Sequence, residues 1–321
     1  MDIIKSDTTI NFMGQRKLAA AFSVVLIVLS IGSLSVRGLN FGLDFTGGTL
    51  IELSYSQAPE LNSVRGTLTE IGFEEFTVQT FGSARDIVVR IPADDTGESG
   101  ADLSTRVLEA LAENNPDVDL RRVEFVGPQV GQELAEQGGL ALLYALFGIL
   151  IYVSLRFQWR FAVGAVVALI HDVLIVLGFL SLFKMSFDLT VVAAILAVIG
   201  YSLNDTIVVY DRLRENFRIK RKGTAVELTN LSINQMLGRT LMTSLTTMAV
   251  LIALFYFGGE IIHAFAYTLI MGVFVGTYSS IYVAGNAAIM LGVSKQDLMP
   301  VEKEGADQAD TEVLPERFRQ G

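Results

Sequence analysis

Six stretches of this chain stay uncharged, or nearly so, for long enough to cross a lipid bilayer, and that feature constrains the fold more than any other. A hydrocarbon core about 30 Å thick is spanned by about 20 helical residues. Residues 18–36, 138–155, 240–259 and 261–294 carry no Asp, Glu, Lys or Arg. Residues 161–183 and 189–210 are interrupted only by His171, Asp172, Asn204 and Asp205. With 51% hydrophobic and 18% charged residues, against about 25% charged in an average soluble domain, the chain reads as a polytopic α-helical membrane protein. Six transmembrane helices are expected, at residues 18–36, 138–155, 161–183, 189–210, 240–259 and 264–292.

Arg16 and Lys17 before the first stretch, with Ser33-Leu34-Ser35 at its end, allow a cleaved signal peptide as the alternative, but the apolar stretch is too long and an anchor is favoured. The chain has no cysteine, so any soluble domain is stable without disulfides and a Cys-based metal site is excluded. No metal and no cofactor are expected.

Lys and Arg collect in alternate connections, and by the positive-inside rule those connections are cytoplasmic. Lys5, Arg16 and Lys17 precede the first span. Arg156 and Arg160, beside the interfacial Trp159, join the second to the third, and Arg212, Arg214, Arg218, Lys220, Arg221, Lys222 and Arg239 join the fourth to the fifth. Residues 1–17 and the polar tail 295–321, read as disordered, are then cytoplasmic. Residues 37–137 form a domain on the opposite face of a bacterial inner membrane, with 18 acidic against 7 basic residues.

Within that domain the patterning alternates between periods of two and 3.6 residues. Strands are predicted at 49–55, 77–81, 86–91 and 119–126, with helices at 62–71 and 103–112, the second N-capped by Asp102. The order β-α-β-β-α-β suggests an inserted α+β, ferredoxin-like domain.

An ionisable side chain inside a membrane helix is costly unless paired, hydrated or neutralised, and is a functional candidate by default. Asp205, in Gly200-Tyr201-Ser202-Leu203-Asn204-Asp205, lies toward the cytoplasmic part of the fourth span, with Asn204 and Gly200 as supporting residues. Arg239 stands at the cytoplasmic entrance of the fifth, at a depth where it can meet Asp205; the alternative reading is an ordinary positive-inside anchor beside a structural, hydrogen-bonding Asp205. Asp172 is a weaker candidate: His171 and Asp172 are helix neighbours about 100° apart and are not expected to face one site. His263 receives no role.

Gly42-Leu43-Asp44-Phe45-Thr46-Gly47-Gly48-Thr49 superficially resembles a phosphate loop but lacks the Gly-Lys-Ser/Thr ending. Gly47 and Gly48, with Gly127 and Pro128 at the matching exit from the domain, are expected to form its hinges, where a rigid connector is the alternative. No span offers a Ser-His or His-Glu-x-x-His arrangement, so an enzyme is not expected.

The two hinge motifs, His171-Asp172-Val173, the string from Gly200 to Arg212, and Arg239-Thr240-Leu241-Met242-Thr243-Ser244, occurring in this order, closely resemble the SecF family of protein-export membrane subunits, within the resistance-nodulation-division superfamily. The likeness runs from the first span to about residue 292. It implies pairing with SecD, association with the SecYEG channel and contact with a translocating unfolded polypeptide, with no nucleic acid involved. It also implies that Asp205 and Arg239 are the proton-path carboxylate and its basic partner, another acid coming from the partner chain. The function expected is use of the proton motive force to promote translocation across the cytoplasmic membrane. The alternatives are half of a proton-coupled small-molecule or lipid exporter of the same superfamily, or a passive assembly factor of the translocon.

Overall fold

The structure, a computed structural model, describes residues 9–92, 100–220 and 222–293. The expected tail at 295–321 lies outside them. In chain order come the first membrane helix α1 (Arg16–Arg37), a short strand β1 (Asn40–Phe41) and a single helical turn α2 (Leu43–Thr46). The soluble module follows as β2 (Gly48–Ser54), α3 (Leu61–Glu70), β3 (Thr77–Phe81), β4 (Ser83–Ile91), α4 (Gly100–Asn114) and β5 (Asp119–Val126). The chain then runs through α5 (Pro128–Arg156), α6 (Trp159–Leu182), β6 (Ser186–Phe187), α7 (Leu189–Ile219), α8 (Ala225–Phe257) and α9 (Glu260–Ser279), and a π-helical turn at Ser280–Ala284 leads into α10 (Gly285–Met290).

Among the described residues, six helices are long and apolar enough to cross a membrane: Met13–Arg37, Pro128–Arg156, Trp159–Leu182, Leu189–Ile219, Ala225–Phe257 and Ile262–Met290. The helices overrun the uncharged stretches. α5 starts at Pro128, whose missing N–H costs nothing at the first helical position. α7 and α8 consume the basic segment expected to be a connection. Their charged ends form a polar zipper: Asn216 Nδ2 donates to Ser232 Oγ and to Gln235 Oε1, both at 2.8 Å, and Arg212 Nε donates to Gln235 Oε1 at 2.7 Å. A capping box between Thr224 and Glu227 starts α8. Hydropathy marks where a helix meets lipid, not where its hydrogen bonding stops.

α6, α7 and α9 form the interior of the bundle, where Phe161, Leu169, Leu180, Ile195, Ile199 and Leu213 are buried. α1, α5 and α8 lie outside, and their exposed side chains, Val28, Leu29, Leu143, Phe147, Val250 and Tyr256 among them, are those of a lipid-facing surface. Tight crossings rest on small residues. A Cβ on Gly178 would lie 2.2 Å from Ser30 Cβ on α1, and one on Gly272 would lie 2.0 Å from Val198 Cγ2 on α7.

The soluble module has four antiparallel strands in the order β3-β4-β2-β5. Its two helices share one core with the sheet: Val64 and Leu68 of α3 and Val107 and Leu111 of α4 pack with Ile51, Leu53, Val78, Ile87 and Val89. Two expectations change in detail. β4 begins at Ser83 rather than 86, and Asp102 is not an N-cap but lies inside the first turn of α4, where its carboxylate still complements the helix dipole.

The two glycine motifs meet where the module joins the bundle. Gly47 has φ +67° and lies against the start of α5: a Cβ there would sit 2.9 Å from Pro128 Cα, and one on Gly131 would sit 2.8 Å from Gly47 N. Gly127 is the N-cap residue of α5. β1 pairs in parallel with β6, bringing Asn40 beside Ser186 and Phe41 beside Phe187, and Gly42 N donates to Phe187 O at 2.7 Å.

Candidate functional site in the helix bundle

Asp205 occupies the middle of α7, about 25 Å along the helix from its first residue at the usual rise. It is 3% exposed, and its Oδ2 is buried with no hydrogen-bond partner. A carboxyl oxygen buried in an apolar helix without a donor is costly, because nothing in the protein compensates its lost hydration. Arg239 of α8 is the cation within electrostatic reach. The two do not form an ion pair among the described contacts, and Arg239 is exposed on the outer face of α8 while its neighbour Thr240 is buried. Helical geometry turns Asn204 away from Asp205: Asn204 and Gly200 lie on an exposed face of α7 with Ala193 and Ala197, and a Cβ on Gly200 would meet nothing within 4 Å.

Asp172 has the opposite environment. It is 1% exposed and fully engaged. Ser202 Oγ of α7 donates to its Oδ2 at 2.5 Å, Ser279 Oγ at the end of α9 donates to the same oxygen at 2.7 Å, and its Oδ1 lies 2.9 Å from His171 Nδ1. The expectation that His171 and Asp172 face different sites is therefore wrong. Both side chains bend toward each other in the low-dielectric interior, where a hydrogen bond between helix neighbours outweighs the roughly 100° divergence of their Cβ vectors. From His171 Nε2 the contacts continue to Ser23 Oγ of α1 at 3.2 Å, and from there to Tyr278 OH at 3.0 Å, which donates to Ala19 O at 2.8 Å. Ser23, Ser202, Tyr278 and Ser279 escape a search for charged residues. Their signal is subtler, hydroxyls on the inward stripe of otherwise apolar helices.

A second polar cluster lies outside the membrane helices, under the open face of the sheet. Arg90 of β4 reaches down from the sheet, and its guanidinium donates to Phe41 O at 3.0 Å. Burial lowers its proton affinity below the usual arginine value, opposed by the nearby carboxylates of Asp188 and Asp44. Asp44 Oδ2 accepts from Leu189 N at 2.9 Å, and Asp188 Oδ1 accepts from Val191 N at 2.9 Å, so both carboxylates cap the start of α7. Beyond them a cleft of about 420 Å³ separates the sheet from the start of α9, lined by Leu50, Glu52, Val88 and Arg90 on one side and by Thr190 and His263 on the other. Among the described residues no group of three or more His, Cys, Asp or Glu could hold a metal ion.

The comparisons with known proteins agree with this architecture. Residues 106–294 match the family model described as protein export membrane protein SecD/SecF, C-terminal, and residues 32–59 match the SecD/SecF GG motif. The chain belongs to the SecD/SecF family. Among curated SecD/SecF relatives, the protein translocase subunit SecF of Pseudomonas aeruginosa is 54% identical over 292 residues, covering 91% of this chain and 94% of the relative. The SecF of Vibrio alginolyticus is 53% identical over 309 residues, covering 95% and 98%. The crystal structure of SecDF from Thermus thermophilus, called a translocon-associated membrane protein, superposes with a TM-score of 0.79 at 38% identity. That match covers 89% of this chain but 39% of the SecDF chain, so this chain spans well under half of that longer protein. A SecD/SecF member with six apolar helices is a multi-pass inner-membrane protein, and its family role is that of a protein translocase subunit.

Proposed function

We propose that this chain is the SecF half of a proton-driven accessory motor of the Sec translocon, working with SecD beside the SecYEG channel and acting on an unfolded polypeptide as it emerges. The observation that carries the reading is Asp205: a carboxyl group buried in an apolar helix with one oxygen unbonded, and a cation on the neighbouring helix close but not paired. Burial favours the neutral acid, whereas an approaching cation favours the anion. Movement of Arg239 toward or away from Asp205 therefore makes the carboxyl release or take a proton, and each proton crossing a potential of about 100 mV supplies about 2.3 kcal/mol.

The distribution of basic residues supports an orientation with both ends of the chain in the cytoplasm and the soluble module outside. No covalent chemistry is required of any side chain. The exposed small-residue face of α7 is suited to close approach by a helix of the partner subunit. For Asp172 a joining role is the better reading, because donors from Ser202 and Ser279 tie α6 to α7 and α9 while His171 engages its other oxygen.

Asp205→Asn keeps the shape and polarity but cannot ionise. In inverted membrane vesicles it is expected to abolish stimulation of translocation by the proton gradient while leaving the complex with SecD intact. Undiminished stimulation would sink the proton role. Loss of the complex instead would favour a passive assembly factor.

A further inference from the structure

The joint between the soluble module and the membrane is built like a clamp: its glycine motif packs on the start of α5, and its polar contacts gather at the start of α7, the helix that carries Asp205. Three kinds of contact converge on the start of α7. The backbone of the preceding residues is paired, β1 with β6, with Gly42 N bonded to Phe187 O. The α7 N-terminus is capped from outside its own chain segment, since Asp44 Oδ2 in the glycine motif takes Leu189 N. The sheet is tied to β1, the strand paired with β6 just before α7, by Arg90, which donates to Phe41 O and lies in the field of Asp188 and Asp44. Asn40 Nδ2 adds a bond to Lys184 O at 3.1 Å, and Lys184 Nζ one to Arg37 O at 2.6 Å.

The glycine motif is tightly packed in the same region. Gly47 abuts Pro128 and Gly131 at distances that leave no room for a Cβ. On the same face of the sheet as Arg90, the cleft opens beside the joint toward α9.

We infer that Asp44 and Arg90 are transmission residues: they weld the base of the soluble module to the N-terminal end of α7, so that the module and α7 move as one rigid body and the module does not swing at Gly47-Gly48. This rests on the proposed proton reading and deepens it. A displacement of α7 at Asp205 is then delivered to the sheet along about 25 Å of straight helix, and the cleft toward α9 gives the module space to follow it. Polar caps suit this duty, because each bond restrains the helix end in direction as well as distance.

The test uses the chain assembled with its SecD partner in inverted vesicles, reading two quantities: gradient-stimulated translocation and proton conductance that depends on Asp205. Asp44→Ala removes the cap and is expected to lower stimulation by roughly tenfold, the effect one lost cap has on a two-state equilibrium, with the Asp205-dependent conductance retained. Asp44→Asn can still accept from Leu189 N and is expected to restore stimulation. Stimulation unchanged in Asp44→Ala, or lost equally in both variants, overturns the inference.

The second arm exploits the absence of cysteine. Asn40→Cys with Ser186→Cys places two thiols at paired positions of β1 and β6. If the joint stays closed throughout the cycle, oxidation leaves stimulation intact; a loss that reductant reverses shows that the joint must open, and the inference fails. Failure of the proton reading itself shows separately, as stimulation in the wild-type chain that Asp205→Asn does not change.

Discussion

At the scale of single residues, the two membrane aspartates show how similar sequence signals acquire different meanings. Both interrupt apolar helices, but Asp172 has Ser202, Ser279 and His171 within bonding distance, whereas Asp205 Oδ2 has no donor. No one-dimensional pattern separates them, because three of Asp172's four network helices are remote in sequence. A buried orphan in the soluble module makes the energetic point directly. Tyr55 is 5% exposed and its hydroxyl has no partner, and burial pushes its pKa up to about 12. The folded value exceeds the ordinary one near 10, so stability is undiminished below pH of about 10 and falls as the pH rises toward the folded value. Tyr55→Phe removes the unpaired group and is expected to stabilise the chain by about 1 kcal/mol at neutral pH. It is also expected to flatten the alkaline loss, and thermal unfolding in detergent as a function of pH measures both.

At the scale of elements, glycine in the membrane helices is decided by what it packs against. Gly131→Ala improves intrinsic helix propensity by about 1 kcal/mol. Its Cβ, however, would enter 2.8 Å from the backbone nitrogen of Gly47. That neighbour is main chain and cannot rotate away, so overpacking of about 1–3 kcal/mol wins, and the melting temperature is expected to drop. The π-helical turn at Ser280–Ala284 has a comparable local cause. Tyr210 OH donates to Ala284 O at 2.9 Å, and Gly164 leaves the space that this hydroxyl fills. Spans were readable from apolar length, but their ends were not. Residues 211–219 are charged and 225–239 are interrupted by Glu227, Asn230, Asn234, Gln235 and Arg239, yet both are helical, with Asn216, Ser232 and Gln235 satisfying one another across the pair.

At the scale of the whole molecule, two faces of α7 do different work. The inward face carries Ser202 and Asp205, and the outward face exposes Ala193, Ala197, Gly200 and Asn204. A Cβ at Gly200 meets nothing within 4 Å on this exposed face, so with Gly200→Leu the melting temperature of the isolated chain is expected not to fall. Co-purification with the SecD partner is expected to fail, and retained pairing would show that this face is lipid-exposed. The sequence by itself determined that the chain is a six-helix membrane protein with an inserted α+β module, because bilayer thickness and strand or helix periodicity act on contiguous residues. It also determined that Asp205, Arg239 and Asp172 were the ionisable candidates, since any charge in an apolar stretch stands out. Only the tertiary structure decided that Asp172 is hydrogen-bonded and Asp205 Oδ2 is not, that His171 turns toward Asp172, that Asp44 caps the start of α7 and that Arg90 bonds Phe41 O of the adjoining strand. Those outcomes depend on which donors the folded chain brings within about 3 Å of an acceptor, and residues some 145 positions apart, such as Asp44 and Leu189, carry no local trace of that meeting.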